Sequence, residues 1–406
     1  MAETRIDSRV ARLAYFVSHP IQYQAPLLRR IAREPDIELS VFFSSDHTTR
    51  GFIDEGFGVK VEWDVPLLEG YSYKFLPRVP GPEGLGFARP INRRIFETIE
   101  QGGFDAVWVH GYSTVNSLRT ILSAGMLDVP VLLRAESTLQ DRERSSAKLF
   151  AKDVFFHVLR RHVRGVLAIG TANAKYWRRY MGDDMPLYAM PYAVDNEFFE
   201  RKALEASSRT EALRRELGLV PGRPVILFAS KLQARKHCDD LIAAWDEAWK
   251  QTGSVSRPYL LIIGDGEQRA ALEASAAGLE GIQFLGFKNQ TELPAYFNLC
   301  DVFVLPSIHE PWGLVVNEAM NAARAVIVSD DVGCQADLVV DGVNGRVYPA
   351  RNVSALTEAL RDVLDTPGRA QAMGTAGLLQ IRRHGFEEDV AGLRQALADV
   401  VPGFQR

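Results

Sequence analysis

A chain of 406 residues exceeds what one ordinary hydrophobic core accommodates, so two domains, or three small ones, are expected. Its 47% apolar and 24% charged residues fit a globular protein, and a formal net charge of -4 gives no global electrostatic case for nucleic acid as a partner. No apolar run approaches the roughly 18 residues that span a bilayer, and the first one, Leu13 to Val17, is too short for the core of a signal peptide. Cys238, Cys300 and Cys334 are too few and too widely spaced for a disulfide framework or a zinc site, which points to a reducing, cytoplasmic compartment.

In chain order, RLAYFVS reads as a first strand, YQAPLLRRIARE as a helix and IELSVFFSS as a second strand. A long irregular stretch runs from Asp46 to about Pro90, followed by a helix and the strand FDAVWVHG. Another helix, the strand VPVLLRAES, a long helix candidate from Arg144 to Val163, the strand GVLAIG, the helix ANAKYWRRYM and the segment PLYAMPYAV complete the first half. In the second half PVILFAS, YLLIIGD, IQFLGF, DVFVLPS and AVIVSD alternate with DDLIAAWDEAWKQ, EQRAALEASAAGL, TELPAYFNLC and GLVVNEAMNAAR, whose apolar residues recur at three-to-four spacing. Continuous apolar strands joined through helices imply parallel sheets covered on both faces. The expectation is therefore an α/β protein with two doubly wound, Rossmann-like domains facing a central cleft. The polar FFERKALEASSRTEALRRELGL and the turn Val220-Pro221-Gly222 mark the boundary region, giving 1–195 and 196–385 as the domains. EEDVAGLRQALADVV, within 386–406, is a last amphipathic helix expected to pack back on the first domain.

In such sheets ligands bind beyond the carboxyl ends of the strands, so residues just after strands are the candidates. After DVFVLPS, His309-Glu310-Pro311-Trp312-Gly313 forms a loop before a helix that starts near Gly313 or Leu314. The free amides of Gly313, Leu314 and Val315, with the positive end of the helix dipole behind them, suit a phosphate or diphosphate. Glu310 on the loop and Glu318 in the second turn cannot favour a phosphate, but carboxylates accept hydrogen bonds from hydroxyls. Two acids flanking a diphosphate site therefore suggest sugar or ribose hydroxyls on either side. ASKLQARKHCDD, directly after PVILFAS, brings Lys231, Arg235 and Lys236 to the same edge, where cations would neutralise a departing diphosphate. The strand ends at Gly264 and at Gly286-Phe287 read as structural turns or, in a functional reading, as a backbone wall for a nucleobase.

In the first half His110 and Gly111 end FDAVWVHG, and His110 reads equally as a donor to a substrate hydroxyl or as a core histidine. His19, Gln22 and Tyr23 in SHPIQYQAP form a polar set suited to a hydroxyl-rich ligand, and Arg134 and Glu136 in LLRAES complete that rim. No G-x-G-x-x-G follows a strand, and no Walker A, G-x-S-x-G or Asp-x-Asp sequence is present, so nothing in the sequence requires a metal ion. AKLFAKDVFFHVLRRHVRG interleaves Lys148, Lys152, Arg160, Arg161 and Arg164 with Phe150, Val154, Phe155, Phe156, Val158 and Leu159. It reads as a sheet-flanking helix with a basic end, or as a peripheral contact with the anionic inner face of a membrane.

Together these motifs resemble the retaining glycosyltransferases of family 4, which have the two-domain GT-B fold. The likeness is carried by the second half, in Lys231-x4-Lys236, IIGDGEQRAALE, IQFLGF, DVFVLPSIHEPWGLVVNEAMNAARAVIVSD and DGVNGRVYPARN, and Glu310 to Glu318 has the spacing of the family's E-x7-E motif. The resemblance implies that Lys231 and Lys236 bind the donor diphosphate, Glu318 the ribose and Glu310 the donor sugar. It implies also that Gly313 to Val315 complete the phosphate site and that His110 lies near the reacting sugar carbon. On this basis 196–385 holds a nucleotide sugar and 1–195 the acceptor. His110, Glu310 and Lys236 are the catalytic candidates, and Gly264, Gly286, Phe287 and Trp312 join the donor contacts. Two positions depart from the pattern: Ser230-Lys231 stands where many members have Gly-Arg, and SHPIQYQAP has no glycine where the family has a glycine-rich loop.

The expected activity is hexosyl transfer with retention, from a nucleotide diphosphate sugar, UDP-linked in preference, to a hydroxyl acceptor such as a glycan, a lipid-linked sugar or a small molecule. No metal or other cofactor is expected. A nucleotide-sugar epimerase or phosphorylase of the same architecture is the alternative, and a non-catalytic sugar-nucleotide-binding protein is the rival from another class.

Overall fold

The computed structural model describes residues 9–54, 56–82, 84–140, 145–253 and 257–405. The first half contributes β1 (Ala11–Val17), β2 (Ile37–Phe43), β3 (Phe52–Asp54), β4 (Val59–Val61), β5 (Ser72–Phe75), β6 (Ala106–His110), β7 (Val131–Arg134), β8 (Gly165–Ala168) and β9 (Leu187–Ala189). Its helices are α1 (Ala25–Ile31), α2 (Ile95–Gly102), α3 (Val115–Met126), α4 (Ser146–Leu159) and α5 (Thr171–Met181). Apart from the antiparallel hairpin β3-β4, these strands form one parallel sheet in the order β5-β2-β1-β6-β7-β8-β9.

The second half has β10 (Val225–Ala229), β11 (Tyr259–Ile263), β12 (Ile282–Phe284), β13 (Val302–Leu305), β14 (Ala325–Ser329) and β15 (Gly345–Tyr348), a parallel sheet ordered β12-β11-β10-β13-β14-β15. Its helices are α6 (Asn196–Ser207), α7 (Thr210–Glu216), α8 (Cys238–Trp249), α9 (Arg269–Ser275), α10 (Leu293–Leu299), α11 (Leu314–Asn321), α12 (Gln335–Leu338), α13 (Val353–Leu364), α14 (Arg369–Ile381) and α15 (Phe386–Val400). The central strands β10, β11, β13 and β14 are buried at every residue, as a sheet covered on both faces requires. Each sheet carries one apolar cluster per face.

The doubly wound α/β architecture is as the sequence predicts, and the departures lie at its margins. The stretch from Asp46 to Pro90 is not irregular throughout: it contains the β3-β4 hairpin and the edge strand β5, all of whose residues are exposed. An edge strand with no covered face lacks the apolar run that betrays an inner one. β15 was hidden likewise, because Gly345-Arg346-Val347-Tyr348 mixes polar and apolar residues; a side chain at Gly345 would strike the Val326 carbonyl of the neighbouring strand. Arg144, the first residue of the long helix candidate, lies outside the described residues.

α6 packs on α10 and α11, and so sits with the second sheet, whereas α15 returns to the first. Val390, Leu393, Ala396 and Leu397 of α15 are buried with Leu167, Tyr188 and Met190. Arg394 adds a forked pair with Asp36 at 2.5 and 2.6 Å and a contact of 2.8 Å with Glu34. Among the described residues no helix is long and apolar enough to cross a membrane.

Candidate functional site

Strand order reverses beside the first strand of each sheet, between β1 and β6 and between β10 and β13. The crevice outside the carboxyl ends of such a strand pair is the place where an open α/β sheet holds ligands. Both crevices open into one cavity of about 1350 Å³, lined from the first half by His19, Gln22, Tyr23, His110 and Glu136 and from the second by Lys231, Lys236, Glu310 and Glu318.

On the second-half side, β10 delivers Lys231 and the following turn delivers Arg235 and Lys236. The Lys236 ammonium pairs with Glu310, and Arg235 Nη1 stands 3.4 Å from the same oxygen. Both Lys236 and Glu310 are about nine-tenths buried. Desolvation pulls the Lys236 pKa down, Glu310 opposes it, and Arg235 adds to the lowering, so the net direction is downward. Gly313 caps α11 with φ 94°, a left-handed conformation where a side chain would also crowd Leu305 and Val332. That glycine lets the chain turn so that Gly313, Leu314 and Val315 line the cavity at the positive end of α11. Glu318, one turn further, is half-buried, and desolvation pushes its carboxyl up to about 8.

Gly264 and Phe287 line the cavity as expected, but Gly286 does not: its carbonyl accepts the Gly264 amide at 2.9 Å, so it is spent joining the two strand ends. At Gly264, φ is 133° and a side chain would strike the Ser230 carbonyl, so this close approach needs glycine. Trp312 is a floor more than a polar contact. Its indole N–H donates to Asn317 at 3.0 Å, and its ring meets Tyr192 edge-on.

On the first-half side, Glu136 is the hub. Tyr23 donates to it at 3.2 Å, Tyr192 also donates to it, and His110 Nε2 lies 3.6 Å away. Burial acts to raise the Glu136 pKa, but His110 and the two tyrosines outweigh it and hold the carboxyl below the usual range. Gln24 links the Tyr15 hydroxyl, 2.5 Å away, to His110, 3.1 Å away. His19 accepts or donates at 2.8 Å with Ser18, and burial, aided by His47 and His110, lowers its pKa to about 4, so it is neutral at physiological pH.

Arg134 is a correction. It does not line the rim: its side chain is 1% exposed, 3.3 Å from Asp389 of α15 and 3.4 Å from the Pro191 carbonyl, with the Tyr192 ring 5.1 Å from its guanidinium. It supports the floor from below because β7 ends against α15, not against solvent. Sequence reasoning missed Gln24 and Tyr192, although both stand in segments already singled out, and it missed Asp54 and Phe57, which lie in the stretch read as irregular. Among the described residues His237, Asp239 and Asp240 are close enough to share a cation. They sit at the positive end of α8 with Arg351 3.1 Å from Asp240, which disfavours one.

Solved structures of the same arrangement cover nearly the whole chain. The protein HepE of Anabaena in complex with UDP superposes over 96% of this chain and 100% of its own, with a TM-score of 0.72 at 18% identity. Sucrose-phosphate synthase of Thermosynechococcus elongatus covers 96% and 99%, with a TM-score of 0.69 at 18% identity. This is the GT-B fold. Within it, residues 209–379 match the family model of glycosyl transferases group 1, the half that carries Lys231 to Lys236 and Glu310 to Glu318. The GDP-mannose-dependent alpha-(1-6)-phosphatidylinositol monomannoside mannosyltransferase of Mycolicibacterium smegmatis is 32% identical over 206 residues, covering 48% of this chain and 52% of that protein. The 2-deoxystreptamine glucosyltransferase of Streptomyces kanamyceticus is 31% identical over 227 residues, covering 53% and 55%. The chain thus spans about half the length of these curated relatives.

Proposed function

We propose that this GT-B chain is a retaining glycosyltransferase that moves a hexosyl group from a nucleoside diphosphate sugar to a hydroxyl acceptor. The observation that carries the reading is the convergence of Lys231, Arg235, Lys236 and the amide end of α11 on one cavity that also holds His110 and Glu136. Three cations and a helix N-terminus supply the charge that a departing diphosphate needs, so no metal ion is assigned a role. Lys236 and Glu310 satisfy each other. A diphosphate competing for Lys236 frees Glu310 to accept hydrogen bonds from the donor sugar, while Glu318 accepts from the ribose. His110, Glu136, Tyr23 and Tyr192 face the acceptor hydroxyl. Attack comes from the face the diphosphate leaves, with a phosphate oxygen taking the acceptor proton, and approach of the two halves excludes water.

UDP is the favoured nucleotide because HepE, of the same fold, holds it. The mannosyltransferase relative is named for GDP-mannose, so the base is what an experiment must read. A membrane-borne acceptor is the second reading, favoured by α4, where Phe150, Val154 and Val158 are 71%, 49% and 50% exposed at four-residue spacing beside exposed Lys148, Arg161 and Arg164. Lys152 and Arg160 are not part of that face, since Lys152 packs over the Tyr176 and Tyr180 rings and Arg160 pairs with Asp184.

Thermal unfolding with UDP-, GDP- and ADP-sugars tests the donor. A ligand at about 100 times its dissociation constant adds about 2.7 kcal/mol. One nucleotide class is expected to stabilise the chain, and the Lys236→Ala variant is expected to lose the effect. Stabilisation by none of them contradicts the reading.

A further inference from the structure

The hairpin β3-β4 belongs by sequence to the acceptor half, yet it reaches the donor cations. The Asp54 carboxylate lies 2.6 Å from Lys231 Nζ, and it is held in place by the amides of Gly56 and Phe57 at 2.8 and 3.0 Å. The Lys231 ammonium sits 4.9 Å from the centre of the Phe57 ring, which meets Phe287 edge-on at 4.8 Å. Just beyond the hairpin, Asn289 donates to the Glu62 carbonyl at 2.6 Å and the Thr291 amide donates to Asp64 at 3.1 Å. A side chain at Gly56 would collide with that of Lys231, and one at Gly266 would collide with the Gly56 and Leu232 carbonyls, so two glycines permit the approach. The hairpin therefore bridges the cleft at the cation assigned above to the donor diphosphate.

A carboxylate and a diphosphate cannot both sit on one ammonium without repelling each other, and Asp54 is only 16% exposed, so water screens that repulsion poorly. We propose that Asp54 is a stand-in anion for the donor: it neutralises Lys231 until an incoming diphosphate displaces it. Donor binding and the Asp54 bridge then exclude each other at Lys231. By linkage, whatever strengthens the bridge weakens the nucleotide and favours its release after transfer. This rests on the reading of Lys231 as a donor cation.

The Asp54→Asn variant separates charge from geometry, because an asparagine carbonyl still accepts from the Gly56 and Phe57 amides. Calorimetric titration of the full chain with UDP, GDP and ADP, and with the parent nucleosides as uncharged controls, reads the competition. The variant is expected to bind its nucleoside diphosphate at least about fivefold more tightly than the unaltered chain, the lower bound of typical coupling between sites. Nucleoside affinity is expected to be unchanged. Asp54→Ser, which keeps a short acceptor without charge, should behave alike. Diphosphate affinity that is unchanged or weaker in both variants, while the unaltered chain binds, overturns the proposal and leaves the donor reading intact. Binding by the variants alone supports it, and binding by none of the three proteins overturns both.

Discussion

The wall proposed to hold the donor draws its working groups from two short stretches, 231–236 and 310–318, each following an inner strand that is buried throughout. The wall proposed to face the acceptor draws Tyr23, Gln24, His110, Glu136 and Tyr192 from scattered parts of the first half, and its support, Asp389, from α15. The first construction is local: its side chains project from loop and helix ends close together in sequence, with Lys236 and Glu310 buried as a pair. The second is a network that runs through the core, so its chemistry and the stability of the first half are bound together. Changes on the acceptor wall should appear first as lost stability, and changes on the donor wall as altered ligand binding.

The largest expected effect is at Asp389. Above about pH 8, where Asp389 is ionised, Asp389→Ala leaves the Arg134 guanidinium buried without its carboxylate, an arrangement that costs about 3–5 kcal/mol. Denaturant unfolding measures it, and a loss below about 1 kcal/mol would break the comparison. The pH dependence carries a distinct sign. Burial raises the Asp389 pKa to about 7 despite the opposing Arg134 charge. The folded chain therefore keeps a proton that the unfolded chain gives up near its ordinary value of about 3.9. Between roughly pH 4 and 7 this group makes stability fall as pH rises, and Asp389→Asn should remove that slope.

A smaller effect is expected on the donor wall. Glu318 keeps its proton up to about pH 8 in the free protein, and accepting two ribose hydroxyls favours its ionised form. Donor binding should then release a proton and tighten with rising pH, by up to about tenfold per unit, levelling off near pH 8. Calorimetry in buffers of different ionisation enthalpy detects the proton. Glu318→Gln should bind without pH dependence. A pH-independent affinity in the unaltered chain contradicts the assignment.

This division also explains what could be read from the sequence. The inner strands β10, β11, β13 and β14 announce themselves as apolar runs, and the cations and acids stand within a few residues of their ends, so it was legible from the sequence that these residues share one cavity edge. Gly286 misled, since a glycine at a strand end looks the same whether it faces a ligand or a neighbouring strand. On the opposite wall, Arg134 could not be placed without knowing that α15 brings Asp389 back to the end of β7. Asp54 and Phe57 act only through partners about 180 or more residues further along the chain, a relation that local pattern does not encode.

Time-resolved proton NMR of the purified chain, with the donor selected by stabilisation and a panel of hydroxyl acceptors, reads transfer and its stereochemistry together. Acceptor-dependent release of nucleoside diphosphate is expected, with a glycoside that retains the donor's anomeric configuration. Lys236→Ala should turn over about 10²–10³-fold more slowly, as expected when one group that stabilises a developing charge is removed. Conversion of the nucleotide sugar without acceptor, an inverted product, or undiminished turnover by Lys236→Ala would contradict the proposed retaining transfer.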